Sequence, residues 1–287
     1  MNASEQIIAK QAEWAKNRGL QLIGSAGNRG RRVYTASIAD NLFQLLSRKS
    51  EEELAAGDGI ELKNKEGQPA KIQALHSSSA LVINLFDYWR DKSDLSLLFA
   101  ACRLSRAEGN LSGEIQFEQK FPTDDRFQYS PNMDVVFFPS YPNKYKMFAI
   151  ECKFTEPYSS RKHGGLDPKY FGNGNIWEKL SATKRLAEEI SPDDNRFACL
   201  HAAQLIRHIL GLNRKFGHSH YRLLYLWYDA LGEPGFRHRH EVKSFFDTVR
   251  SDGVLFHAAT YQEVIVRLAG YRHQHSEYVT YITNRYL

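Results

Sequence analysis

The sequence predicts an α/β protein built on a mixed β-sheet flanked by helices, with a helical extension at its N-terminus. Apolar segments at 132–138 and 146–153 flank a gap with two prolines and an asparagine, which is typical of a β-hairpin. A nearly continuous apolar segment at 221–229 has the character of a buried strand. A helical pattern at 195–210 predicts a crossover that brings this strand into the same sheet.

Four short patterns precede the main body. They predict a helix at 4–16, a loop at 20–30, a short helix at 38–46 and a turn or helical fragment at 51–59. No stretch in this region is long enough to serve as a linker between independent units. We therefore expect residues 1–69 to form an extension packed on a main domain at 70–287.

The main domain begins with two helices and a strand. Serines at 77–79 cap a helix at 80–90, and Ser93 with Asp94 caps a second at 95–104. Alternating apolar residues predict a strand at 114–121, just before the hairpin. Beyond the hairpin, the patterns predict helices at 176–189, at 195–210 with Gly211 as its stop, at 242–249 and at 261–269.

Composition excludes several classes of protein. The chain has no run of about eighteen apolar residues, so we expect no spanning helix and no membrane partner. The N-terminus lacks the basic start and apolar segment of a secretory signal, and the three cysteines have no metal-binding spacing. We therefore expect a cytoplasmic protein with reduced thiols. The net charge of +5 permits nucleic-acid binding without requiring it.

The predicted hairpin brings charged side chains together. Folding its strands back about the bond between residues 142 and 143 places Asp134 opposite Glu151. Side chains alternate along a strand, so Glu151 and Lys153 share one face. Placing charges on a sheet among core residues costs free energy, so their presence there indicates a role. Carboxylates bind hard divalent cations, and a lysine beside them can hold a phosphate or an attacking water, so this set predicts phosphodiester hydrolysis.

A Glu-x-Lys tripeptide alone is weak support for this chemistry. The same pattern occurs at 61–63 in a polar, turn-like stretch and at 241–243 at the start of a predicted helix. Only Glu151 ends an apolar strand that pairs with another strand carrying an acid. The alternative interpretation of Glu151 and Lys153 is a surface salt bridge at a strand end.

The order of elements and this acid–acid–lysine set resemble the PD-(D/E)XK nuclease superfamily, the restriction-endonuclease-like enzymes. The segments at 77–86, 134–137 and 151–156 are similar to a bacterial family of proposed restriction endonucleases, and the similarity covers about residues 70–229. In the motif that names the superfamily, proline directly precedes the aspartate. Here Pro131 lies three positions before Asp134.

The resemblance implies a Mg²⁺-dependent endonuclease that cuts DNA in restriction or genome defence, with Mn²⁺ as an alternative metal. Asp134 and Glu151 would bind the metal, with the Cys152 carbonyl and Glu118 as further candidate ligands. Lys153 would orient the attacking water or stabilise charge on phosphorus. An inactive nuclease-fold module that only binds nucleic acid, or a nuclease acting on RNA, remains an alternative.

Further residues enter through the same resemblance. Gln204 matches a catalytic glutamine that recurs on the helix after the motif strand, and Asn84 and Asp87 are weaker alternatives to Glu118. A homodimer is a further possibility, since cutting both strands of DNA usually needs two active sites.

Several features outside the motif have both a functional and a structural interpretation. Arg161, Lys162 and Tyr158 follow the motif strand and are candidate nucleic-acid contacts, although a basic loop packed by tyrosines would look the same. His201 and His208 share a helical stripe with Gln204, and for these histidines we expect a solvated surface.

Overall fold

A computed structural model describes residues 2–25, 32–57, 60–65, 67–109, 111–127, 130–140, 143–160, 162–172 and 174–287. A five-stranded mixed sheet lies between two layers of helices, with a helix at the N-terminus. The predicted α/β class and mixed sheet are therefore confirmed.

The helices of the described residues are α1 (Ala3–Asn17), α2 (Arg48–Ala56), α3 (Ser78–Phe86), α4 (Leu95–Ala101), α5 (Ser181–Glu189), α6 (Ala202–Phe216), α7 (Glu233–Ser251), α8 (Tyr261–Ala269) and α9 (Ser276–Tyr286). The strands are β1 (Leu22–Gly24), β2 (Arg32–Thr35), β3 (Gly113–Lys120), β4 (Asn132–Pro139), β5 (Met147–Lys153), β6 (Tyr221–Trp227) and β7 (Phe256–Thr260).

The main sheet has the strand order β3-β4-β5-β6-β7. Strands β3, β4 and β5 are antiparallel neighbours, whereas β5, β6 and β7 run parallel. Val135 pairs with Ile150 and Phe137 with Phe148, which confirms the predicted hairpin register. Because β5 and β6 are parallel neighbours, their carboxyl ends meet at one edge of the sheet.

Each face of the sheet carries its own hydrophobic core. Apolar side chains of α1, α3, α4, α8 and α9 cover one face, and those of α5, α6 and α7 cover the other. The N-terminal segment belongs to the first core, where Trp14 of α1 contacts Tyr281 of α9 edge to face at 5.8 Å between ring centroids. Residues on both sides of the expected boundary at 69/70 thus share one core.

The prediction for α6 was wrong at both ends. The helix begins at Ala202 rather than at 195 and continues through Gly211 to Phe216. Gly217, with a φ of 85°, follows the helix in the conformation that glycine tolerates best. At Gly211 a β-carbon would lie 2.1 Å from the carbonyl oxygen of Phe121. Gly211 therefore permits close packing of the helix and does not end it.

Other differences lie where the sequence pattern is weak. The loop predicted at 20–30 was wrong at Leu22–Gly24, which forms β1 and pairs with β2. The expected helix at 38–46 is a 3₁₀ turn at Ala39–Asn41. Strand β7 and helix α9 were not predicted, and α7 is much longer than expected. Tertiary packing stabilises these elements, because α9 buries Tyr278, Ile282 and Tyr286. Across the described part of the chain, none of the helices has the length and apolarity needed to span a bilayer.

Candidate functional site

Three acids form a row across the central strands. The pairs on either side of Glu118 in the β3–β4 ladder place it opposite Asp134. The β4–β5 ladder ends at the pair Val135–Ile150 and, continued by one residue, brings Asp134 opposite Glu151. Glu118 itself has a φ of 53°, a left-handed conformation that is costly for a residue with a β-carbon. The row therefore combines like charges with local backbone strain.

Glu151 lies between two basic side chains. The ammonium of Lys153 is 2.5 Å from Oε1 of Glu151, and Nε2 of His208 is 2.9 Å from Oε2. Only 1% of the Glu151 side chain is exposed, against 17% for Lys153. Lys153 is thus the member of the pair that reaches solvent.

This arrangement shifts the pKa values of both partners. Burial would raise the pKa of Glu151, but the charges of Lys153 and His208 outweigh it and lower that pKa to about 2. Burial would likewise lower the pKa of Lys153, but Glu151 and Asp134 outweigh it and raise that pKa. The two side chains are therefore an ion pair at neutral pH.

Asp134 has the opposite shift. Its Oδ2 accepts a hydrogen bond of 2.7 Å from the backbone N–H of Cys152. Burial raises the pKa of Asp134, and the negative charge of Glu151 raises it further, although part of the residue remains exposed to solvent. Lys153 only partly opposes this. Asp134 and Glu151 thus compete for the positive charge of Lys153, which does not offset the repulsion between the two carboxylates.

Glu118 belongs to the row of acids, but its carboxylate contacts Asn132. Oε2 of Glu118 accepts a hydrogen bond of 2.9 Å from Asn132, and a β-carbon placed on Gly57 would lie 2.9 Å from the same oxygen. Glu118 still raises the pKa of Asp134 through its charge. The structure therefore places Glu118 near the acid pair without directing its carboxylate between them.

Lys153 opens into a cleft of about 790 Å³ at the carboxyl ends of β5 and β6. Tyr225, which pairs with Glu151 across these strands, also lines it. The charged lining comprises the cations Lys153, Lys162, Lys169 and Arg207 and the acids Glu156 and Asp167. Cations outnumber acids, so the cleft suits an anionic ligand.

Two histidines stack in the same cleft. The rings of His163 and His201 are 4.7 Å apart at an interplanar angle of 16°. Burial and then the charges of His163, Lys153 and Arg207 lower the pKa of His201 to about 4, and burial lowers the pKa of His163 as well. Both rings are therefore neutral at pH 7 and able to accept hydrogen bonds.

The expected solvated histidine stripe was wrong for His208, which is buried against Glu151. His201 lies just before α6 and is partly exposed in the cleft. Gln204 is partly exposed and lies one turn before His208 on the same side of α6. The shared helical spacing was the signal that could have joined His208 to the acid set, and a catalytic role for Gln204 stays a prediction.

The candidate nucleic-acid contacts have different outcomes. Tyr158 is buried, and its hydroxyl contacts the carbonyl of Tyr228, the N–H of Ala230 and Nδ1 of His238. That side chain is a structural element and is not available to a nucleic acid, so this prediction was wrong. Lys162 is exposed and lines the cleft, whereas Arg161 lies outside the described residues.

Asn84 and Asp87 are structural as well. Asn84 accepts a hydrogen bond from the N–H of Phe43 at 2.6 Å and donates to Tyr286, which joins N- and C-terminal segments. Asp87 accepts a hydrogen bond of 2.5 Å from Ser50 of α2. Both are buried and hold other elements in place, so neither is a metal ligand of this site.

Cys152 contributes its backbone, while its thiol packs in the core on the opposite face of the sheet. Burial, then the charge of Asp134, raises the pKa of this thiol. A reactive thiolate is thus excluded at this position, and the role of its carbonyl as a ligand stays a prediction.

Comparisons with known proteins identify the family of this chain. No curated protein and no solved structure matches the chain. A family model described as "Restriction Endonuclease associating with ARP" matches residues 8–287. Because the match spans nearly the whole sequence, the chain belongs to this restriction-endonuclease family, which indicates a nuclease.

Proposed function

We propose that the chain is a Mg²⁺-dependent endonuclease that hydrolyses DNA phosphodiester bonds in restriction or another form of genome defence. The observation that carries the proposal is the ammonium of Lys153, which pairs with Glu151 beside Asp134 and reaches a cleft lined by further cations. Membership in a restriction-endonuclease family supports DNA as the substrate.

The acid pair fits a hard divalent cation. Burial and the charge of Glu151 raise the pKa of Asp134, and a cation between the two would relieve that repulsion. Among the described residues, Nε2 of His208 lies 2.9 Å from Oε2 of Glu151, and a carboxylate oxygen has two lone pairs, so Oε2 retains capacity for another ligand. Within the same residues, no three or more His, Cys, Asp or Glu side chains form a metal-binding group. That suits Mg²⁺, which is held by one or two carboxylates and completes its shell with water and phosphate.

Asp134 and Glu151 would hold Mg²⁺, with Mn²⁺ as the alternative ion and with the Cys152 carbonyl and Glu118 as further candidate ligands. When bound, the ion would supply positive charge that stabilises the phosphate oxygens as negative charge develops on them. It would also separate the two carboxylates electrostatically, so metal affinity should rise as the pH rises.

Lys153 acts as a hydrogen-bond donor and not as a base. Its raised pKa keeps the ammonium protonated, and its position at the cleft lets it donate to a non-bridging phosphate oxygen or to the attacking water. In the reaction the water oxygen bonds to phosphorus and its proton passes to solvent, while the bond from phosphorus to the leaving sugar oxygen breaks and that oxygen takes a proton from solvent. Lys162, Lys169 and Arg207 then hold the flanking anionic backbone.

The test is cleavage of plasmid DNA with Mg²⁺, followed by comparison of DNA and RNA oligonucleotides. We expect wild-type cleavage and a loss of about 100-fold or more in Glu151→Gln and Lys153→Ala. Lys243→Ala is the matched control. Lys243 ends the Glu-x-Lys tripeptide at 241–243, which lies in helix α7, and it pairs with Asp247 on the surface. Equal cleavage by all four proteins would contradict the proposal.

Absence of wild-type cleavage together with salt-sensitive, Mg²⁺-independent binding would instead identify an inactive binding module. Cleavage restricted to RNA would keep the mechanism and change the substrate.

A further inference from the structure

A second cavity adjoins the cleft. Its volume is about 620 Å³, and it shares Ser159, Lys162 and His163 with the cleft that Lys153 reaches. The cleft and this cavity are therefore neighbours along one stretch of surface. The volume is within the range of pockets that enclose a small organic ligand, such as a base with its sugar.

Two buried acids lie in the wall of this cavity, Asp194 and Glu241. Both oxygens of Glu241 already accept hydrogen bonds, which come from the backbone N–H groups of Ala198, Cys199 and Leu200 at 2.8–2.9 Å. Glu241 thus fixes the loop before α6.

Asp194 is different, because only one of its oxygens is used. Oδ1 accepts hydrogen bonds of 2.9 Å from the N–H groups of Arg196 and Phe197. Oδ2 is buried and has no hydrogen-bond partner among the described residues, and the residue as a whole is only 6% exposed. Burial raises the pKa of Asp194. A buried carboxylate oxygen without a donor costs free energy that a ligand N–H would recover.

The rim of the cavity has the opposite charge. Lys162, Arg196 and Arg237 line it and are exposed. The salt bridges of Arg196 with Glu189 and of Arg237 with Glu233 lie at the surface, where solvent screens them. The rim therefore suits phosphate groups, while the wall offers Oδ2 of Asp194 as an acceptor for an N–H donor.

A nucleotide whose base carries an exocyclic amino group matches both features, because its phosphate suits the cationic rim and its amino group can donate to the acceptor in the wall. A carboxylate accepts readily from such an amino group, as it does from the N4 amino group of cytosine. We infer that the cavity binds the nucleotide next to the scissile phosphate and that Oδ2 of Asp194 accepts a hydrogen bond from the exocyclic amino group of its base. This inference rests on the proposed nuclease function.

The test is binding of fluorescent single-stranded oligodeoxycytidine and oligodeoxyuridine, with Ca²⁺ in place of Mg²⁺ to prevent cleavage. The two probes share a backbone and differ in an amino against an oxo group. We expect wild type to bind the cytosine strand about tenfold more tightly. Asp194→Asn should abolish or reverse this preference, because the amide keeps an oxygen for the backbone N–H groups and presents a donor in place of Oδ2.

Asp193→Asn is the matched control, since it removes the same charge from the neighbouring exposed residue and should leave the preference unchanged. Lys162→Ala should weaken both complexes equally, as a phosphate contact would. Equal wild-type affinity for the two strands would overturn the inference while leaving the nuclease proposal intact. Failure to bind either strand while plasmid cleavage is retained would overturn the inference alone, and loss of both binding and plasmid cleavage would overturn the proposed function as well.

Discussion

Nε2 of His208 lies 2.9 Å from Oε2 of Glu151, and only 1% of each side chain is exposed. The contact joins α6 to β5 beneath the cleft. It leaves Glu151 with a basic group at each oxygen, because Lys153 occupies the other. The acid that the proposed chemistry needs is therefore also a charged group in the core.

His208→Ala should destabilise the fold. Removing the imidazole takes away the 2.9 Å contact at a buried carboxylate oxygen, and we expect a loss of about 1–3 kcal/mol in the free energy of unfolding. Urea denaturation measures this loss. His273→Ala, at an exposed position, is the control and should differ little from wild type. A similar effect of both substitutions would mean that the His208 contact contributes nothing.

Asp134→Asn should stabilise the metal-free protein at neutral pH. The pKa of Asp134 is raised in the folded state, so the folded chain binds the proton more tightly than the unfolded chain does. Ionisation therefore costs stability as the pH rises above the ordinary value of 3.8. We expect the unfolding free energy of Asp134→Asn to exceed that of wild type by a margin that grows from pH 4 to pH 7.

A metal titration separates this effect from simple repacking at Asp134. Mg²⁺ should raise the melting temperature of wild type and leave that of Asp134→Asn unchanged. An equal rise in both proteins would argue against Asp134 as a ligand.

Glu151→Gln should show the opposite pH dependence. The pKa of Glu151 falls from 4.5 to about 2 on folding, so its charge stabilises the fold above pH 4.5. That contribution is lost as the pH falls toward 2. The stability difference between wild type and Glu151→Gln should therefore shrink over this window by an amount on the order of 3 kcal/mol. Denaturation curves at several pH values measure it, and a constant difference would contradict the ion pair.

Gly211→Ala should destabilise the packing of α6. The added methyl group would lie 2.1 Å from the carbonyl oxygen of Phe121, so the helix must move away from the end of β3. We expect a loss of about 1–3 kcal/mol or more in thermal or urea denaturation. Gly172→Ala is the control, because its nearest neighbour would be 3.9 Å away. If Gly211→Ala matched the control, the close approach of helix and strand would be wrong.

The sequence by itself determined the hairpin and the acid pair. The short gap between two apolar strands leaves few ways to pair them, and the alternation of side chains then fixes which residues share a face. The pattern of residues alone therefore predicts Asp134 opposite Glu151, and the strand register agrees. The buried strand β6 could also be predicted from the sequence, because a continuous apolar pattern indicates burial on both faces of the sheet.

Only the tertiary structure decided what the remaining polar groups do. His208 was expected in solvent and Tyr158 on nucleic acid, yet both are buried. The burial of Asp194 likewise arises where segments that are distant in sequence come together around the second cavity. Burial and hydrogen-bond partners arise from packing between distant segments, which local periodicity does not encode. For the same reason Gly211 looked like a helix stop, although a close backbone approach is what requires it.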